Sequence, residues 1–314
     1  MQGIPPEIGD PPSRDAGAVT GDAPPAASLT GAALIVASAL AFGAMAIFAR
    51  IAYASGIDTS TLLALRFGIA AAVLAAVARL RGVPLPGGRD VALLALMGAV
   101  GYAGQAWTFF TALTMAPAGV VALLLYLYPA LVAVLATMFL HERLSATRVA
   151  ALAIALGGMA LTVAPALSAA GPTRPAGIAL ALAAAMIYAI YIVAGTRVSA
   201  RVSPWATASI VCAAEATVFV LAVASRGAHW PQTASGWLAI AAIALVSTVA
   251  AITLFFAGLA RIGATRASTL STVEPLFTVL LAALVLDESI AAIQLVGGAL
   301  ILSAVWMLAR PQRA

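Results

Sequence analysis

YPALVAVLATMFLHE at residues 128–142 and EPLFTVLLAALVLDE at residues 274–288 share one pattern, 146 positions apart. Each carries a proline, then ten apolar or hydroxyl residues, a leucine, an acidic or imidazole residue, and a glutamate. The register holds upstream, where Phe109-Phe110 meets Phe255-Phe256 and Leu113 meets Leu259. A proline inside a helix removes a hydrogen bond and clashes with the preceding turn, so it is costly to place. Finding it twice at one offset, with the same acidic stop, marks a duplication. The chain reads as two related halves.

Composition names the solvent. A soluble domain is about half apolar and about a quarter charged, whereas this chain is 63% hydrophobic and 9% charged. Such a chain cannot cover its apolar surface in water. At about 20 residues per spanning helix, the apolar sequence from Thr30 to Ala309 holds about ten spans. The runs are long, rich in alanine and leucine, and free of the period-two alternation of a membrane barrel. All 16 basic residues are arginine, which excludes a P-loop lysine and a Schiff-base lysine. The arginines lie between apolar runs without forming a patch, so the +5 charge does not point to nucleic acid. Cys212 is the single cysteine. It lies in an apolar run, so there is no intrachain disulfide or cysteine metal cage. Residues 1–28 are proline-rich and acidic and read as a disordered cytoplasmic tail. Their acidity is wrong for a signal peptide.

The expected spans are 30–50, 59–79, 91–113, 119–140, 149–165, 177–197, 205–224, 237–257, 267–286 and 291–309. Glycine- and proline-rich stretches at 82–88 and 171–175 supply loops, and Ser145, Ser203 and Ser289 are expected caps or starts. The domain reading is a first five-helix repeat over 29–170, a second over 171–310 and a short tail at 311–314. With the amino terminus inside, twelve arginines fall in cytoplasmic segments, while Arg50, Arg174 and Arg226 fall outside. This excess places both termini in the cytoplasm. Five is odd, so the second half enters the membrane upside down relative to the first. Inverted repeats of this kind recur in secondary transporters, with the site near the midplane.

Leu65-Arg66-Phe67 in the second helix, Val273-Glu274-Pro275 in the ninth, and the closing Leu140-His141-Glu142 and Leu286-Asp287-Glu288 give the chain a family likeness. It resembles the drug/metabolite transporter superfamily, and within it the EamA-like bacterial exporters, a group that includes YddG-type amino-acid exporters. The resemblance covers about residues 30–310. It implies an all-α fold of ten transmembrane helices in two inverted repeats around a central cavity, and export of small metabolites across the inner membrane.

Three ionisable groups, Arg66, Glu215 and Glu274, fall within spans, where each costs roughly 2.5–3.5 kcal/mol on insertion scales. Each therefore needs a partner, a wet cavity or a function. They are candidates to bind the carboxylate and amine of a zwitterion, or to exchange protons, against the simpler reading of a buried ion pair between helices. Tyr102 with Gln105, Tyr188 with Tyr191, and Tyr126 one turn before Pro129 share helix faces by spacing. Mid-span phenols need hydrogen-bond partners, so these residues are candidate cavity walls, with interhelical packing as the alternative. Trp205, Trp230, Trp237 and Trp306 read as interfacial anchors, while Trp107 is deeper and faces either way. Glu142 and Glu288 are expected to cap turns, and Gly157-Gly158 and Gly297-Gly298 to let helices approach closely. No H-E-x-x-H or G-x-S-x-G pattern occurs, so an intramembrane enzyme is disfavoured. No cofactor is called for. The expected partners are lipid, a small metabolite such as a hydrophobic or aromatic amino acid, and protons as coupling ion, with a monomer or homodimer as the assembly. A channel, or a carrier of drugs, sugars or nucleotide derivatives, is the alternative with the same spans.

Overall fold

A computed structural model describes residues 25–113, 115–116, 118–168, 174–286 and 289–309. Most of the expected tail at 1–28, and the one at 311–314, lie outside the described residues. The described residues form helices and connecting turns. Nine apolar stretches are long enough to span a membrane: α1 (Leu29–Ala54), α2 (Thr59–Leu80), α3 (Gly88–Phe109), α4 (Val120–Leu140), α5 (Ala146–Pro165), α6 (Pro175–Ser199), α7 (Pro204–Arg226), α8 (Ala234–Ile262) and α9 (Ala264–Val285). The tenth, α10 (Ala292–Leu308), is shorter. Its helix of 18 residues rises about 27 Å at ~1.5 Å per residue, close to the ~30 Å of a hydrocarbon core. Hence it crosses as well.

Local chemistry fixes the starts. The Asp58 carboxylate accepts hydrogen bonds from the Ser60 and Thr61 amides at the head of α2. Ser203 accepts from Ala206 N at the head of α7 (3.2 Å), and Ser145 from Arg148 N near that of α5 (3.3 Å). Such caps satisfy amides that the first turn leaves without partners. The expected loop between the eighth and ninth spans shrinks to a single residue. α8 runs to Ile262 and α9 begins at Ala264, with Gly263 at φ +78° between them. Only glycine adopts that backbone freely, so a turn of one residue replaces nine expected ones and draws Arg261 and Arg266 into helix.

Packing follows the duplication. α1 packs on α8 and α9 of the other half, while α6, its counterpart, packs on α3 and α4. The α2–α7 pair and the α5–α10 pair each join equivalent helices. Swapping the halves leaves this scheme unchanged, as two inverted five-helix repeats require. α5 and α10 meet backbone to backbone: a Cβ on Gly158 would lie 2.6 Å from the Gly297 carbonyl oxygen, and one on Gly297 2.5 Å from that of Gly158. The paired glycines are therefore a crossing point, as expected from the sequence.

The interruptions are duplicated too. α3 widens into a π-helical turn at Met97–Tyr102, and α8 does so at Leu245–Ala250. α4 breaks at Tyr126-Leu127 before Pro129, and α9 at Thr272-Val273 before Pro275. A π-turn carries one extra residue and turns the side chains after it to a new face. These four irregularities converge at mid-bundle.

Candidate functional site

Arg66 stands at that convergence. It lies seven residues into α2, about 10 Å from the helix end at ~1.5 Å per residue, and is 4% exposed. Both π-turns reach it. Its Nε donates to Thr248 Oγ1 of the α8 π-turn at 2.8 Å, and the hydroxyl of Tyr102, from the α3 π-turn, lies close to the same guanidinium. Thr248 Oγ1 in turn donates to the Ile243 carbonyl five residues back (2.9 Å), the spacing of a π-turn. The guanidinium carbon sits 4.5 Å from the Phe67 ring centroid, a cation–π contact that favours the charge. Nη2 remains buried with no partner.

Glu215, at the centre of α7, is fully buried, and both of its carboxyl oxygens lack a hydrogen-bond partner. Arg66 is close enough to act on it electrostatically. Among the described residues no salt bridge joins the two. The alternative reading, a buried ion pair holding α2 to α7, thus has no contact of salt-bridge length behind it. Arg66 spends its Nε on Thr248, while its Nη2 and both Glu215 oxygens are left without a hydrogen-bond partner. Buried polar groups without partners are few in folded proteins, and each calls for an explanation.

A chain of aromatic rings leads away from Arg66. Phe67 meets Tyr102 edge-on at 5.9 Å between centroids; Tyr102 meets Tyr191 at 5.6 Å and Tyr188 at 6.3 Å. Tyr188 contacts Tyr128 at 4.7 Å, and Tyr128 contacts Tyr126 at 6.2 Å. Such edge-on pairs are favourable beyond the area they bury. At the far end the Tyr126 hydroxyl lies close to the Glu274 carboxyl, and that of Tyr128 close to Ser271. Glu274 lies ten residues into α9, about 15 Å deep at ~1.5 Å per residue. It is deeper than expected because α9 starts earlier. Tyr102, Tyr126, Tyr188 and Glu274 come from four helices and face one another, yet each keeps accessible surface. Together they form a partly exposed polar and aromatic cluster at mid-bundle.

Other expected residues settle differently. Gln105 is half-buried one turn beyond Tyr102. Trp107 is 55% exposed and faces outward. Trp230, Trp237 and Trp306 are exposed as anchors would be. Glu142 is a cap with a consequence: from the α4–α5 turn it accepts from Ala264 N at 2.9 Å and Thr265 N at 3.3 Å, so the first half caps a helix of the second. Glu288 lies outside the described residues.

Comparison with known sequences decides the family. The pattern of the EamA-like transporter family matches twice, over residues 29–164 and 175–310. The chain belongs to the EamA-like transporter family. The two matches start 146 residues apart (175 − 29), the offset at which the proline segment recurs. An uncharacterized transporter, sll1319, of Synechocystis sp. (strain ATCC 27184 / PCC 6803 / Kazusa) is 29% identical to this EamA-like chain over 203 residues. The match covers 63% of this chain and 61% of that protein's length. A solved crystal structure superposes with a TM-score of 0.74 at 25% identity, over 90% of this chain and 97% of that one. The chain is thus a multi-pass membrane protein of a transporter family.

Sequence reading missed the residues that complete this EamA-like site. Thr248 and Ser271 lay unremarked in apolar runs, and Phe67 was read only as part of a motif. A threonine among aliphatic residues costs little in lipid when it bonds its own backbone, so composition gave no sign that Thr248 also serves Arg66.

Proposed function

We propose that this EamA-like protein is a secondary transporter that exports small zwitterions, hydrophobic and aromatic amino acids foremost, across a bacterial inner membrane. The observation that carries this reading is the arrangement of charge. An arginine with an unpaired Nη2 and two carboxyl groups lie beside a cluster of tyrosines at mid-bundle. A zwitterion brings one carboxylate and one ammonium, and each then finds an opposite charge. Charge-assisted hydrogen bonds of this kind are the strong ones, and the tyrosine rings give an apolar or aromatic side chain flat surface to lie against. Arg66 and Glu215 are assigned to the charged ends of the substrate, Glu274 to the proton exchanged beside it, and Tyr102, Tyr126, Tyr188 and Tyr191 to the substrate's side chain. Gln105 is retained as a wall residue reached by a substrate larger than the ring chain itself.

Alternating access supplies the movement. The repeats, 29–170 and 171–310, exchange roles as inner and outer gates, and the irregular turns at mid-bundle provide the bending points. The arginine-rich end faces the cytoplasm together with both termini, by the positive-inside rule. Cysteines introduced near Arg89 and near Arg261 should therefore both react with a membrane-impermeant maleimide from the cytoplasmic side. Reaction of either from outside would sink the orientation. The native Cys212 is buried, which leaves the readout to the introduced thiols.

Uptake of labelled amino acids into proteoliposomes, with and without an imposed pH gradient, tests the substrate. Saturable uptake and counterflow of a large neutral or aromatic amino acid are expected. Flux without saturation would make the protein a channel, and no uptake across the panel would move the substrate to another metabolite class. Protons are the proposed coupling ion, with Glu274 as their carrier. Glu274→Gln should then retain counterflow but lose the response to the gradient. A gradient response that survives this change assigns the proton elsewhere.

A further inference from the structure

The arginine-rich end of the bundle carries a second feature, outside the central site. Where α3 begins and α6 ends, two adjoining hollows of about 420 and 320 Å³ share Arg89 and Arg201 as walls. Gly87, Gly88 and Asp90 close the first hollow; Leu93, Ala194 and Arg197 close the second. We propose that this cleft binds the phosphate of an anionic membrane lipid, with the acyl chains running up the face between α3 and α6.

Charge comes first. Three arginines meet one aspartate in the cleft, a balance of +2 (3 − 1). Arg201 is partly neutralised, since its Nε and Nη2 donate to Asp90 Oδ1 at 2.9 and 2.5 Å. That ion pair also braces the cleft, because it ties the α6–α7 turn to the first turn of α3. Arg197 gives Nη2 to the Phe139 carbonyl at 2.5 Å and keeps its other N–H groups. Arg89 is exposed and donates no hydrogen bond among the described residues. Its charge is left for a ligand, with that of Arg197 beside it.

The apolar wall then chooses the kind of phosphate. Leu93 and Ala194 sit one turn inward from Arg89 and Arg197 on their helices. Beyond them the same faces continue with exposed Leu96 (58%), Val100 (61%) and Ile190 (53%). A free phosphate has nothing to lay against that wall. A phosphatidylglycerol has both parts, a phosphodiester at the level of the arginines and chains at the level of the leucines. Basic pockets between spans at headgroup depth suit anionic lipids for this reason. The proposal requires the membrane-spanning fold and is independent of substrate and transport direction.

Native mass spectrometry of the full chain in detergent, supplied with phosphatidylglycerol or phosphatidylcholine, tests it. Wild type should retain phosphatidylglycerol in preference to phosphatidylcholine. Arg89→Gln should lower that retention about fivefold, the effect of one basic residue at a lipid surface. Arg89→Lys should restore most of it, and Arg79→Gln, an exposed arginine at the same end but outside the cleft, should leave it unchanged. Equal retention of the two lipids, or undiminished retention in Arg89→Gln, would overturn the proposal. Displacement of phosphatidylglycerol by inorganic phosphate would overturn the lipid assignment in favour of a free-anion site. Transport assays enter none of these outcomes, so failure here and failure of the substrate reading are told apart.

Discussion

Arg66→Ala is expected to abolish transport while the protein still inserts, purifies and melts as a folded bundle. The side chain holds three positions at once: Nε on Thr248, the guanidinium against Tyr102, and its charge beside Glu215. Hydrogen bonds to charged groups contribute roughly 1.5–3 kcal/mol each. Loss of a single substrate contact of this kind weakens binding by ten- to about a hundredfold, and the substitution also frees the two π-turns that the arginine gathers. Folding should survive, because no salt bridge ties Arg66 to Glu215 and α2 packs along the whole of α7. Arg66→Lys keeps the charge but not the planar fork, so it should retain weak, saturable uptake. Saturable uptake by Arg66→Ala near the wild-type level would remove Arg66 from the substrate site. Aggregation of the alanine variant, with normal behaviour of the lysine variant, would assign it to holding the helices instead.

The two-half architecture was legible because lipid imposes a coarse grammar. A span needs about 20 apolar residues, loops collect glycine and proline, and most helix boundaries in this chain carry one of those marks, the turns that follow the two duplicated segments carrying acidic residues and serine instead. The duplication was legible for a different reason: Pro129 and Pro275 are costly residues, and costly residues stand out against alanine and leucine. Arg66, Glu215 and Glu274 were conspicuous on the same ground. What stayed hidden has no compositional cost. A π-turn uses the same apolar residues as an α-turn, so nothing in Met97–Tyr102 or Leu245–Ala250 announces one. Yet these turns aim Tyr102 and Thr248 at Arg66. Without them, a straight-helix reading left Arg66 and Glu215 open to two roles, substrate-binding groups or a buried ion pair. Gly263 hid in the same way, since one glycine between two arginines looks like any polar loop. Its positive φ closes the turn and presents the α9 amides to Glu142.

That last contact gives the second large effect. Glu142→Ala is expected to shift the protein toward the conformation open at the arginine-rich end. Glu142 belongs to the α4–α5 turn of the first half, and the amides of Ala264 and Thr265 that it holds begin α9 of the second. These amides have no carbonyl acceptors within their own helix, so a carboxylate on them acts as a cap, and the helix dipole adds to the attraction. Caps of this kind contribute roughly 0.5–2 kcal/mol. A contact present in only one of two gating states shifts their ratio by its own free energy, and ~1–2 kcal/mol corresponds to about a 5- to 30-fold change. The readout is a cysteine at Ser271, which is buried beyond the clasp beside Tyr128. Its rate of modification from the arginine-rich side should rise by about fivefold or more in Glu142→Ala. Glu142→Gln, which keeps one acceptor oxygen without the charge, should fall between. An unchanged rate in both variants would mean that the cap serves α9 alone and that the gate at this end is held by the packing of α4 against α9. In that case the two halves close on apolar surface, and the glutamate ending the duplicated segment does no more than stop a helix.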